Sequence, residues 1–86
     1  MDLNSIDDIL SLNDEEINNL TFKELVEAVD FVKSVFISTE LEIEKQIQLY
    51  SKAIILLMKA REKLMVIKSE KDMIDKKYQE FLEKIG

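Results

Sequence analysis

Apolar positions recur along most of this chain in steps of three and four, the period of a helix rather than of a strand. The pattern is densest between Glu40 and Ile67, where a seam reads Ile43, Ile47, Tyr50, Ile54, Leu57, Ala60, Leu64 and Ile67. Its heptad spacing slips once, between Leu57 and Ala60, as a stammer-like deletion would make it. The slip falls beside residues 53–58, which are apolar without interruption. Such a run exceeds one helical turn, so every face of the helix is apolar there. One antiparallel neighbour covers only part of that circumference. The stretch calls for two or more neighbours, and a short chain can borrow one from another subunit.

Upstream, Thr21-Phe22-Lys23-Glu24 reads as a capping box, with Leu20 and Leu25 placed as a hydrophobic staple. Beyond it Leu25, Val26, Ala28, Val29, Val32, Val35 and Phe36 mark an amphipathic helix over about 22–37. Ser38 and Thr39 compete for backbone bonds and end it, and Thr39-x-x-Glu42 reads as a second box opening the next helix near 40. So short a connection makes the two helices antiparallel. The second helix runs over about 40–67 and then meets a wholly polar stretch, residues 68–72. Apolar spacing resumes at Met73, Ile74, Tyr78, Phe81, Leu82 and Ile85. Two structures fit: one unbroken helix to about Ile85, or a third helix over about 70–85, capped by Ser69 and folded back. No glycine or proline marks a break, which favours the unbroken helix. The expected fold is all-α, an antiparallel helical hairpin with a long second helix and coiled-coil-like packing, the three-helix bundle being the alternative.

Residues 1–20 are set apart as an acidic N-terminal arm with short helical turns. Ser5 can cap a turn through Leu10, and Ser11 or Asn13 a second through Glu16 and Ile17. Residues 1–21 hold six acids and no base, which matches the net charge of −6 of the whole chain. The favoured reading of that stretch is a mobile arm; the other is an amphipathic peptide that docks on a partner. The rest of the chain is nearly neutral, unlike a protein that grips a phosphate backbone by itself. Lys52, Lys59 and Lys63 form a loose basic side of the second helix, and a solvated face is the plainer account of it.

The chain has no histidine and no cysteine, which removes imidazole and thiolate chemistry, disulfides and the commonest metal ligands. Carboxylate pairs at helical spacing, such as Asp72 with Asp75, read as solvated surface, and no glycine-rich loop could cradle phosphates. The residues give no catalytic group, cofactor or metal site. No apolar run reaches the ~18 residues of a membrane span, and a cytoplasmic protein is expected. Binding through Tyr50, Ala53, Ile54, Ile55, Leu56, Leu57, Met58, Leu64 and Met65 is the function these features favour, with self-association of the chain when alone and no membrane contact.

Residues 20–67 resemble the small subunit of bacterial exodeoxyribonuclease VII. The family's first helix opens Leu-Thr-Phe-Glu-Glu, and Leu20-Thr21-Phe22-Lys23-Glu24 stands here. The turn and second helix align without a gap: Thr39-Glu40-Leu41-Glu42-Ile43-Glu44-Lys45, then Ile47, Tyr50, Ala53 and Ile54, then Lys63-Leu64. The resemblance implies a non-catalytic partner of a large nuclease subunit that degrades single-stranded DNA; the residues themselves, with a nearly neutral helical body, imply no direct nucleic-acid binding by the isolated chain. Leu49-Tyr50-x-x-Ala53-Ile54 and Ile74-x-x-Lys77-x-x-Glu80-Phe81-Leu82 are also similar to the second and third helices of microtubule-interacting-and-trafficking domains. That likeness implies a three-helix peptide-binding module and requires the fold-back at Ser69. A self-assembling structural coiled coil needs no resemblance.

Overall fold

The computed structural model describes residues 5–85. Its helices are α1 (Ile6–Leu10), α2 (Asp14–Asn19), α3 (Phe22–Ser38) and α4 (Ile43–Ile85). The fold is all-α, with no strand among the described residues. α4 is unbroken through the polar stretch at 68–72, so there is no fold-back at Ser69. Its 43 residues match the 64 Å long axis of the molecule, since a helix rises ~1.5 Å per residue.

Local chemistry sets each start. Ser5 Oγ accepts from the Asp8 amide at 3.1 Å. Asn13 and Glu16 make a reciprocal capping box, with Asn13 Oδ1 accepting from the Glu16 amide at 2.8 Å. Thr21 and Glu24 form the box read from the sequence, at 3.1 Å and 2.9 Å. The Thr21 amide and hydroxyl hold the Glu24 carboxyl below the usual glutamate range. α3 ends where Ser34 and Ser38 turn their hydroxyls back to the carbonyls of Phe31 and Ser34, and Thr39 goes extended.

The second predicted box does not form. Thr39 caps the end of α3 by donating its amide to Val35, so it is not the cap of the next helix. α4 starts at Ile43 rather than near 40, with Glu42 accepting from the Gln46 amide at 3.0 Å. The Gln46 side chain reaches back to the Leu41 carbonyl at 2.8 Å and ties the connection down.

α1, α2 and α3 all pack on α4. The core joins Leu25, Ala28, Val29, Val32 and Val35 of α3 to Leu49, Ala53, Leu56 and Ala60 of α4. The buried line on α4 steps 4, 3, 4 without a slip, so the stammer in the expected seam is not used. The expected seam positions Ile43, Ile47, Tyr50, Ile54 and Leu57 face solvent instead. The neighbour chose the stripe bearing two alanines, where branched valines of α3 can approach closely. Residues 53–58 are apolar on all sides, so periodicity alone left that choice open.

Residues 5–20 are not a mobile arm. Ile9, Leu12, Ile17 and Leu20 are buried in the same core as the hairpin. They dock on α4 of their own chain, not on a separate partner. Lys52 Nζ donates to the Leu12 carbonyl at 2.6 Å, and Lys63 Nζ to the carbonyls of Asn18, at 2.8 Å, and Leu20. α1 and α2 have no basic residue in their last turns, and α4 supplies the cations their negative ends favour. Lys45 adds an exposed ion pair to Asp7 at 3.4 Å. Truncating Ile9 to alanine is expected to cost about 2–5 kcal/mol in urea unfolding, the range for a buried isoleucine. A loss under about 0.5 kcal/mol, usual for an exposed position, would mean the segment is free.

Candidate interaction surface

α4 is wide enough to divide its apolar residues between two environments. Ala53 and Leu56, expected in the partner interface, are core residues, and Leu56 is fully buried. Each is therefore removed from the interface, because α3 and the N-terminal helices occupy that stripe. Leu64 is half-buried at the far end of the head, the part of the molecule in which α1, α2 and α3 pack on α4. The remaining expected residues, Tyr50, Ile54, Ile55, Leu57, Met58 and Met65, are exposed, Tyr50 and Met58 each at 63 %.

Ile43, Ile47, Tyr50, Ile54 and Leu57 step 4, 3, 4, 3 and so make one continuous exposed face. Phe36 of α3 extends it sideways at the turn end of the hairpin. Between them lies a shallow groove of about 290 Å³ lined by Phe36, Ile43, Gln46, Ile47 and Tyr50. A second, of about 440 Å³, runs along the other flank past Leu10, Ile47, Gln48, Ser51, Lys52 and Ile55. Ile47 borders both grooves. A third, of about 360 Å³, lies at the far end of the head, bounded by Phe22, Lys59, Lys63, Val66 and Ile67 among others. Grooves of this kind take side chains of a neighbouring helix rather than enclosing a small molecule.

Phe36, Ile43 and Ile47 were absent from the expected interface. Their spacing placed them on the intramolecular seam, and only the actual position of α3 releases them. Ile67, also on the expected seam, is exposed likewise, and Val66, which lies off that seam, is exposed beside it.

The basic side of α4 is largely engaged within the chain. Lys52 and Lys63 hold the N-terminal helices, as above, and Lys59 pairs with Glu62 at 2.8 Å. Two of the three lysines thus have a structural duty. Among the described residues no group of three or more His, Cys, Asp or Glu side chains gathers as a metal cage. No described helix is long and apolar enough to cross a membrane.

No protein-family model, curated protein or solved structure matches the chain. The surface must therefore be read from its own chemistry.

Leu56 and Tyr50 separate core from interface. Leu56→Ala is expected to destabilise the chain by about 2–5 kcal/mol, and Tyr50→Ala to stay within about 0.5 kcal/mol, both measured by urea unfolding at one protein concentration. Equal losses at the two positions would contradict the division.

Proposed function

We propose that this chain is a non-catalytic small subunit that binds and supports a larger nuclease subunit degrading single-stranded DNA, of the exodeoxyribonuclease VII type, in the cytoplasm. The observation that carries the reading is the exposed apolar face from Ile43 to Leu57, joined by Phe36. Contiguous apolar surface left over after folding marks an interaction site, whereas singly scattered residues would not. Burying it on a partner contributes about 25 cal/mol per Å² before the costs of association. Catalysis belongs to the large subunit in this reading, and the small subunit contributes shape and apolar area.

Two further features support it. α4 runs without a break from Ile43 to Ile85, as the nuclease-subunit reading expects and the folded-back peptide-binding module does not. Lys52 and Lys63 are committed to backbone carbonyls, so the basic side of the second helix read from the sequence is largely taken up within the chain.

Co-expression with a large nuclease subunit encoded beside this chain tests the proposal. The two are expected to co-purify, and Ile47→Asp or Tyr50→Asp should abolish the complex while leaving the small chain folded. The isolated chain should neither cleave single-stranded DNA nor bind it tightly in physiological salt. Tight binding by the isolated chain, or a nuclease that ignores it, would overturn the reading.

A further inference from the structure

α1, α2 and α3 cover only the first half of α4. From Met65 to Ile85 every residue is exposed, a rod of roughly 30 Å. Helices draw most of their stability in water from packing an apolar face, and this length has none inside its own chain. Its seam is nonetheless strict in spacing, with Lys71 the one charged position. Leu64, Ile67, Lys71, Ile74, Tyr78, Phe81 and Ile85 step 3, 4, 3, 4, 3, 4, the a and d positions of uninterrupted heptads. The same phase runs back through Ala60, Leu57, Ala53 and Tyr50, so this register has no slip anywhere along the helix.

We propose that residues 64–81 form an antiparallel two-stranded coiled coil with the same segment of a second copy of this chain. Its layers pair Leu64 with Phe81, Ile67 with Tyr78 and Lys71 with Ile74, each occurring twice about a two-fold axis. The flanking charges select this arrangement. With Leu64 at an a position, Lys63, Glu70, Lys77 and Lys84 occupy g, and Arg61, Lys68, Asp75 and Leu82 occupy e. Such positions set orientation and partner choice.

In a parallel pair, g meets the e position five residues on in the other strand. Lys63 would face Lys68, Glu70 would face Asp75, and the two Lys71 side chains would share a layer. Every one of those contacts is repulsive. In the antiparallel register, g flanks g and e flanks e. Glu70 then meets Lys77 and Lys68 meets Asp75, each twice. Lys71 lies across Ile74, where its stem can cover apolar surface while its ammonium stays in water. That ammonium already pairs with Asp75 of its own helix at 3.1 Å. The single like-charged flank, Lys63 with Lys84, uses a lysine bound to the Asn18 and Leu20 carbonyls.

Sliding the strands by one heptad loses this match. The longer overlap sets Glu70 against Glu70 and Lys68 against Lys68. It also sets Tyr78 against Ala60, which the head already buries and which only the terminal Ile85 meets in the favoured register. The shorter overlap sets Lys77 against Lys77 and Asp75 against Asp75. The surface is separate from the face of α4 assigned to a large subunit and does not rest on that assignment.

Sedimentation equilibrium of the full chain tests the pairing. The wild type is expected to be a dimer, and Ile74→Asp a monomer whose head unfolds in urea as before. Glu70→Lys turns two attractive flanks into repulsive ones and should weaken the dimer about tenfold. The double variant Glu70→Lys/Lys77→Glu should restore it. A parallel dimer would instead be strengthened by Glu70→Lys, which relieves the contact with Asp75. A monomeric wild type, a trimer or larger species, or a Glu70→Lys dimer that is unchanged or tighter would each overturn the proposal. A chain that dimerises so but binds no large subunit would remove only the nuclease reading.

Discussion

A 43-residue helix has more side to cover than the other three helices can supply. That disproportion governs the molecule. α3 is 17 residues long, and α1 and α2 add five and six, so together they line one stripe of one half of α4. What they cover becomes core, and what they leave becomes surface for something else. The division runs lengthwise and around the helix at once. Leu49, Ala53, Leu56 and Ala60 face inward, while Tyr50, Ile54 and Leu57, one or two positions away, face out. From Met65 onward every described residue of the far half is exposed.

The acidic N-terminal segment shows how a short chain extends its core. Four apolar residues of that segment enter the core, and two lysines of α4 secure the carbonyls at the ends of its short helices. A helix of five or six residues does not hold its shape in water unaided. Packing, caps and a cation at each negative end work together here. The same contacts withdraw Lys52 and Lys63 from the solvent face where a nucleic acid would have met them.

Elements that depend on local chemistry were legible in the sequence. The Ser5, Asn13 and Thr21 caps, the span of α3 and the unbroken course of α4 follow from residue type and spacing, because each requires only neighbours in the chain. Choices that depend on distant packing were not. The expected seam takes Tyr50 and Leu57 rather than Leu49 and Leu56, because an all-round apolar stretch offers several seams and only tertiary packing selects one. The docking of Ile9 and Leu12 was masked by the charge around them, which reads as solvated unless the lysines opposite are seen. Thr39 matched a capping box by spacing but was taken by the end of α3. Of the expected interface, Ala53 and Leu56 lie in the core, while Phe36, Ile43 and Ile47, expected on the helix–helix seam, are exposed.

The proposed dimer would leave α4 stabilised by its own chain along its first half and by another chain along its second. Amide hydrogen exchange, followed by mass spectrometry through a dilution series that dissociates the dimer, addresses it directly. Protection of residues 49–60 should stay constant across the series, because α3 travels with them. Protection of residues 64–81 should fall with dilution as the second copy leaves. Exchange in the far half that is equally fast, or equally slow, at every dilution would contradict the account.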